Sequence, residues 1–269
     1  DEEKDVEQEI KNTDIETSEV SEELGKIIFD NVIKMRKIRY EENNKDYHFT
    51  RKLDDQLFGR ERELGIHIIS PFNDSITNES IILSQAMGRD ELIVIMPEDD
   101  RLINELNMYK KTEKYIRRKV SINQQESIQK ILMDKRSQNN LRLKELEDQV
   151  RELLSKATLF IDGGELDIPA QEPVGRITEG FSQLISRAYT NLRMLRGIEY
   201  KESEIGKFVR ESGETYIPAD DMLSEAEQEI LAFIQGNERS GMRTTLKTLV
   251  DRFERKPYGW YLAAILNLV

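Results

Sequence analysis

Two stretches decide how this chain folds: Leu64-Gly65-Ile66-His67-Ile68-Ile69, stopped by Pro71, and Glu91-Leu92-Ile93-Val94-Ile95-Met96, stopped by Pro97. Both are short, rich in β-branched residues and almost continuously apolar. That pattern predicts strands buried on both faces, inside a sheet with helices packed over it. The prolines end them because the residue before a proline is pushed out of regular pairing. Ser80-Ile81-Ile82-Leu83, set off by Met87-Gly88-Arg89-Asp90, reads as a further strand between the two. Downstream, Thr158-Leu159-Phe160-Ile161 and Leu166-Asp167-Ile168 flank Asp162-Gly163-Gly164-Glu165, and the Gly-Gly pair supplies the positive φ of a tight hairpin.

Outward from these strands the apolar spacing turns helical. Leu24, Ile27, Ile28, Val32, Ile33 and Met35 mark one helix, running into the basic stretch 34–39; a polar loop around Asn43-Asn44 then leads to Tyr47-His48-Phe49. Asp99 or Asp100 caps a helix over Arg101–Lys119 that carries Leu102, Leu106, Tyr109 and Ile116. Ser121-Ile122-Asn123-Gln124 has capping-box spacing and opens a helix to about Lys156, with a break expected near Gln138–Asn140. Its apolar spacing is too irregular for a sustained heptad seam, so self-association and packing onto its own sheet remain alternatives. Val174–Leu195 is amphipathic, and a shorter helix is expected near Glu204–Glu211. Ser212–Met222, with Gly213 and Pro218, reads as a linker. After it come a full capping box at Ser224-Glu225-Ala226-Glu227, a helix near Thr244–Phe253, and a third helix entered through Pro257-Tyr258-Gly259-Trp260. The expected fold is a helix-rich α/β (α+β) chain: a small, mostly buried sheet covered by long helices, and a C-terminal helical unit like a truncated winged helix. The expected division is an acidic disordered tail at 1–20, an α/β domain at 21–211, a linker at 212–222 and the helical unit at 223–269.

Composition narrows the function classes. The 269 residues carry a net charge of −12, and residues 1–24, with eleven acids and two lysines, hold −9 of it. The rest of the chain is therefore nearly balanced. So few apolar residues lie in the first twenty that their burial would not offset the ordering entropy, hence the expected disorder. No cysteine is present, which excludes disulfides and thiolate metal sites and points to a reducing cytoplasm. No apolar run approaches the roughly 18 residues of a membrane span. The chain opens Asp1-Glu2-Glu3-Lys4 without a secretory signal pattern, and it closes on the apolar Tyr261-Leu262-Ala263-Ala264-Ile265-Leu266 segment without a capping signal. Both ends are those expected of a piece of a larger polypeptide.

No catalytic constellation emerges. His48 and His67 are the only histidines, neither has a metal-ligand spacing, and His67 inside an apolar strand reads as a structural residue. Ser70 and Ser182 lack the G-x-S-x-G elbow. Gly236-Asn237-Glu238-Arg239-Ser240-Gly241-Met242-Arg243-Thr244 has the glycine spacing of a phosphate loop. Met242, however, stands where the phosphate-binding lysine belongs, and a helix precedes the loop instead of a strand. The basic cluster Lys110, Lys111, Lys114, Arg117, Arg118 and Lys119, interleaved with Tyr109 and Tyr115, is of more interest. Clustered cations with aromatics suit a nucleic-acid backbone and its bases. They equally complement the C-terminal dipole of their own helix and pair with neighbouring acids. Lys247 and Arg252, with Arg255 and Lys256, add cations to the second helix of the C-terminal unit, a second place for duplex DNA. An enzyme pocket between the sheet and the long helix is a third reading, with no residue pattern behind it.

Four stretches carry a family resemblance. They are Tyr47-His48-Phe49-Thr50-Arg51-Lys52-Leu53-Asp54-Asp55 with Leu64–Ile68; Glu91–Pro97 leading to Tyr109-Lys110-Lys111-Thr112-Glu113-Lys114-Tyr115-Ile116-Arg117; Leu154-Ser155-Lys156-Ala157-Thr158-Leu159-Phe160-Ile161-Asp162-Gly163; and Arg252-Phe253-Glu254-Arg255-Lys256-Pro257-Tyr258-Gly259-Trp260. In these the chain resembles the large P-loop ATPase of bacteriophage-exclusion (BREX) systems, of the BrxC or PglY type, over most of 25–269. The resemblance implies an AAA-like ATPase in a prokaryotic anti-phage system that methylates its own DNA and blocks phage replication. No Walker A or Walker B motif lies in this sequence, so the resemblance puts ATP and Mg in an upstream domain of the parent. No catalytic, cofactor or metal residue carries over. This piece is then expected to be a non-catalytic assembly region contacting other BREX proteins, with DNA binding as the alternative.

Overall fold

The computed structural model describes residues 2–120, 125–205 and 223–269. Their contacts separate two units, one of residues 1–37 and 48–181, the other of residues 38–47 and 182–269. The sequence reading had placed 182–211 with the sheet. Residues 206–222, including the expected linker and most of the expected 204–211 helix, lie outside the described residues.

Unit 1 is built on a six-stranded sheet of order β4-β3-β5-β6-β7-β8. Its strands are β3 (Thr50–Leu53), β4 (Gln56–Phe58), β5 (Gly65–Ile69), β6 (Glu91–Ile95), β7 (Thr158–Ile161) and β8 (Gly164–Glu165). β3, β5 and β6 run parallel, while β4, β7 and β8 pair antiparallel to their neighbours. The register aligns Leu53, Ile68, Val94 and Leu159 in one row, and Lys52, His67, Ile93 and Phe160 in the next. Because side chains alternate across a sheet, these rows line opposite faces. The first is wholly buried. Gly180 of α6 (Pro173–Ala188) comes so close to it that a Cβ there would lie 3.0 Å from Leu92 and 3.1 Å from Leu159.

The second face is only partly covered, by α3 (Glu79–Ala86). The run 80–83, expected as a strand, is a helix: Asn78 caps it by accepting from the Ile81 amide, and Ile82, Leu83 and Ala86 face a cluster of Ile69, Ile93, Ile95 and Phe160. A spacing of one and four residues fits a helix face better than a strand, but four consecutive residues contain too little of it to decide. The β5–α3–β6 segment is thus a parallel crossover with its helix over one face of the sheet.

Two long helices complete this unit, α4 (Asp100–Val120) and α5 (Glu126–Ser155). The capping box at 121–124 lies outside the described residues. No break interrupts α5 near Gln138–Asn140, where Asn139 is buried and its side chain donates to the Tyr109 carbonyl at 3.1 Å.

The acidic N-terminus is helical where disorder was expected: α1 (Glu2–Lys11), then α2 (Thr17–Lys26) running into a π-helical stretch at Ile27–Ile33. In α1, Val6 and Ile10 sit four residues apart and pack on Tyr115, Ile116 and Leu132. Burying two such side chains is worth roughly 3–6 kcal/mol, and the acids between them meet lysines of α4 and α5. Charge composition alone hid both terms. Gly25 of α2 allows the Phe58 ring of β4 to lie against the helix backbone.

Unit 2 contains the hairpin strands β1 (Lys37–Tyr40) and β2 (Lys45–His48), a 3-10 turn at Leu192–Leu195, and α7 (Glu225–Arg239), α8 (Leu246–Phe253) and α9 (Leu262–Leu268). Ser224 and Glu227 form the expected capping box at α7. The core is aromatic. Trp260 and Phe253 stack with ring centroids 4.8 Å apart and planes 7° apart, and Tyr258 meets both edge-on. The Trp260 indole N–H donates to the Asn191 carbonyl at 3.0 Å, which satisfies the one polar atom of this fully buried side chain. Gly259 has φ +64°, and a Cβ there would fall 2.5 Å from the Tyr189 ring, so the Pro-Tyr-Gly-Trp entry to α9 needs glycine on two counts.

Candidate functional site

The basic stretch of α4 lies along one side of the α4–α5 hairpin, against the acidic N-terminal helices. Lys110 Nζ meets Glu23 Oε2 at 3.1 Å and Glu113 Oε2 at 2.6 Å. Burial alone would lower the Lys110 pKa, but hydrogen bonds to Glu113 and Glu23 outweigh it and hold the group above its ordinary value. Lys111 Nζ donates to the Lys11 carbonyl at the end of α1, at 2.8 Å. Lys114 pairs with Glu19 at 2.7 Å, and Arg117 with Glu113 at 2.8 Å. Lys119 meets Glu9 at 3.0 Å while lying over the Tyr115 ring. Arg118 is exposed. Tyr115 is buried and its hydroxyl donates to Glu9, so burial first and then the Glu9 carboxylate push its pKa up. Tyr109 is raised to about 12 by burial and the nearby Glu23 and Glu113. Tyr115 therefore packs inward, while Tyr109 is half-buried.

One basic residue of this surface was missed in the sequence. Lys135 of α5 is 8% exposed, and its Nζ reaches Glu7 at 2.6 Å and Glu3 at 3.3 Å. Burial opposes its charge, but the two carboxylates raise its pKa overall. The readable signal was a pairing one: Glu3 and Glu7 are one turn apart on the same side of α1 as Val6 and Ile10, an acidic helix with an apolar seam.

The remaining nominated cations lie in unit 2. Lys247 is exposed on α8. Arg252 lies over the Phe233 ring at 5.9 Å and the Tyr258 ring at 5.4 Å, so its guanidinium caps the aromatic core. The third helix of this unit, α9, carries no Lys or Arg.

A second polar feature sits on the half-covered face of the sheet, a cleft of about 420 Å³ beside α3, lined by Lys52, Asp54, His67, Asn73, Gln85 and Arg89 among others. Asp54, at φ 50°, accepts from the Ser70 amide at 2.9 Å, the Ser70 hydroxyl at 2.6 Å and the Asn73 side chain at 3.2 Å. Burial pushes its carboxyl up, against the downward pull of those hydrogen bonds. His67 Nε2 lies 2.6 Å from the Asp54 carbonyl; a carbonyl only accepts, so that nitrogen carries a hydrogen. Its Nδ1 faces Glu91 Oε2 at 3.4 Å, without good hydrogen-bond geometry. The Glu91 carboxyl is held below its usual value by His67 foremost, against desolvation, with Lys52 and Arg89 adding to the effect. His67 is thus fixed on both sides by the fold, in keeping with a structural reading. Among the described residues, no group of three or more His, Asp or Glu could hold a metal, and no helix is long and apolar enough to cross a membrane.

Two families match the chain. One, described as the BREX ATP-binding protein BrxC 4th domain with six-stranded beta sheet, matches residues 13–184. The other, the BREX ATP-binding protein BrxC winged helix-turn-helix domain, matches residues 201–269. No solved structure matches the chain. The strand count of the first description is that of the sheet in unit 1, and the helices of unit 2 lie where the second places a winged helix. BREX membership carries a role in anti-phage defence and makes other BREX proteins natural partners. By these matches, which cover well over half of its length, the chain belongs to the BREX ATP-binding protein BrxC family.

Proposed function

We propose that these residues form a non-catalytic assembly region of a BREX ATP-binding protein, working in the cytoplasm through contacts with other BREX proteins. The observation that supports this is where the charge goes. Lys110, Lys114, Lys119 and Lys135 are each paired with an acid of α1 or α2, so these four lysines of the α4–α5 surface are bound to protein carboxylates. A surface that complements an acidic helix is a protein-recognition surface. The half-covered sheet face fits the same view, since Asp54 and His67 are occupied in holding loops in place. On this reading ATP and magnesium belong to another domain of the parent protein.

The test removes residues 13–269 from the parent. Basal ATP hydrolysis should persist, while phage restriction and co-purification with other BREX proteins should be lost. Loss of basal hydrolysis itself would overturn a non-catalytic role.

The winged helix-turn-helix match favours a second reading, contact with duplex DNA through Lys247, Arg252 and the exposed cations of α4. Fold alone does not establish it, and a third helix without cations does not favour base readout by α9. Binding of a duplex that weakens steeply with salt, and that drops on Lys247→Glu, would establish this reading in place of the first.

A further inference from the structure

The α4–α5 hairpin has an apolar bed, Tyr115, Ile116 and Leu132, edged by Lys111, Lys119 and Lys135. α1 fills it, with Val6 and Ile10 on the bed and its acids on the lysines. Three observations describe α1 as a separate cover on this bed. The matched BrxC domain begins at residue 13, after α1 ends at Lys11. Only Val6 and Ile10 of its ten residues are buried. Its acids remain open to water even where they are paired, with the side chains of Glu3, Glu7 and Glu9 59%, 48% and 54% exposed. On the hairpin side, by contrast, the groups beneath it are buried, Lys135 among them. A hairpin stripped of α1 would expose apolar surface and a ring of cations that needs an acidic, amphipathic cover.

We infer that this groove is a docking site for an acidic amphipathic helix of a partner protein, and that α1 is its tethered resident competitor. The inference rests on the assembly reading above and names the surface and the partner chemistry for it. Recognition is of the helix-in-groove kind: two apolar anchors four residues apart enter the bed, and carboxylates on either side take the lysines. An incoming helix of that pattern can restore the contacts that α1 gives up, but it must overcome the effective concentration of the tethered copy. A phosphate backbone would satisfy the lysines but leave the apolar bed wet, which is why a helix is favoured over nucleic acid.

The experiment uses the full chain with Val6→Asp and Ile10→Asp, which releases α1 without touching the hairpin. The probe is a labelled synthetic peptide of residues 1–16. It should bind this variant at least roughly tenfold more tightly than the unmodified chain, where the tethered copy competes at high effective concentration. Adding Lys135→Glu should remove the binding. Glu3→Gln, Glu7→Gln and Glu9→Gln together keep both apolar anchors and should give the same order of affinities with a smaller gap. Equal peptide binding by the unmodified chain and the released variant overturns the competitor role. So does duplex DNA that binds the released variant and is lost on Lys135→Glu, which would assign the groove to nucleic acid. In the parent protein, mixed with purified BREX components, Val6→Asp with Ile10→Asp should raise recovery of a component, and Lys135→Glu should cancel the gain. Unchanged recovery sinks the docking role. The outcome of the domain deletion is read separately, so failure of the groove and failure of the assembly reading remain distinct.

Discussion

Replacing a helical glycine by alanine ordinarily stabilises a helix by about 1 kcal/mol. At Gly25 the structure reverses the sign. A Cβ there would lie 2.1 Å from Phe58 Cζ and 2.2 Å from Cε1, well inside contact distance. Phe58 in turn rests near Phe29, with ring centroids 5.6 Å apart. Relief therefore requires moving a ring, at about 1–3 kcal/mol for overpacking, or losing its cover, at a similar cost. Set against the propensity gain, Gly25→Ala should leave unit 1 destabilised by up to about 2 kcal/mol. With Phe58→Ala already in place, the same substitution should stabilise by about 1 kcal/mol. The double-mutant cycle then yields a coupling of about 1–3 kcal/mol, the overpacking cost itself. Native-state hydrogen exchange at α2 and β5 amides is the suitable assay, because it reads unit 1 residue by residue where a melt of both units would merge their transitions. A stabilising Gly25→Ala in the otherwise unchanged chain would refute the reasoning.

Three more outcomes follow from the contacts. The carboxyls of Glu7, Glu9 and Glu19 lie below their usual 4.5, through hydrogen bonds from Lys135, from Lys119 and Tyr115, and from the Glu16 amide with Lys114 respectively. Depressed acids stabilise the fold above 4.5 and lose that contribution as pH falls through their lower folded values, so α1 amides should lose exchange protection as pH falls below about 4.5 while those of β7, which carries no such acid, keep theirs; equal loss in both would refute this. Asp54→Ala should cost about 2–3 kcal/mol, because Ser70 and Asn73 lose their acceptor, whereas Asp54→Asn keeps one acceptor and suits the positive φ at about 1 kcal/mol; urea titration should place the two variants in that order. Trp260→Phe should cost about 1–3 kcal/mol, through lost volume and the lost indole hydrogen bond to the Asn191 carbonyl, which keeps the one from the Met194 amide, read as a lower melting temperature by near-ultraviolet circular dichroism.

The strands 64–69, 91–96 and 158–161 were legible because continuous β-branched runs have few other uses. The hairpin after β7 was legible in part: the positive φ falls on Asp162 and Gly163 and not on Gly163-Gly164, and the returning strand is Gly164–Glu165 where Leu166–Ile168 was expected. Residues 80–83 were misread because four residues cannot separate a helix face from a buried strand, and Asn78 as a cap is a weaker signal than Ile-Ile-Leu. Helix α1 and the start of α2 escaped because their acids weigh toward disorder, whereas Val6, Ile10 and the facing lysines are contributed by segments a hundred residues apart. The unit boundary escaped for a related reason. The hairpin at 38–47 and residues 182–205 join α7–α9 through contacts such as those of Tyr47 and Gly259 with Tyr189, which no linear pattern announces. The candidate cations were visible in the sequence. That four lysines face acids of α1 and α2 was not, since ion pairing across the fold has no local signature.

The sheet ends in very short strands: β4 has three residues and β8 two. An unpaired strand edge is a template for adding a strand from another molecule, and the hazard grows with the length of the edge. Here a foreign chain would find two or three residues to pair with on either side, too few to hold it. A sheet so trimmed can be carried at high local concentration, as when several copies of a large protein sit side by side, without drifting into fibrillar stacking.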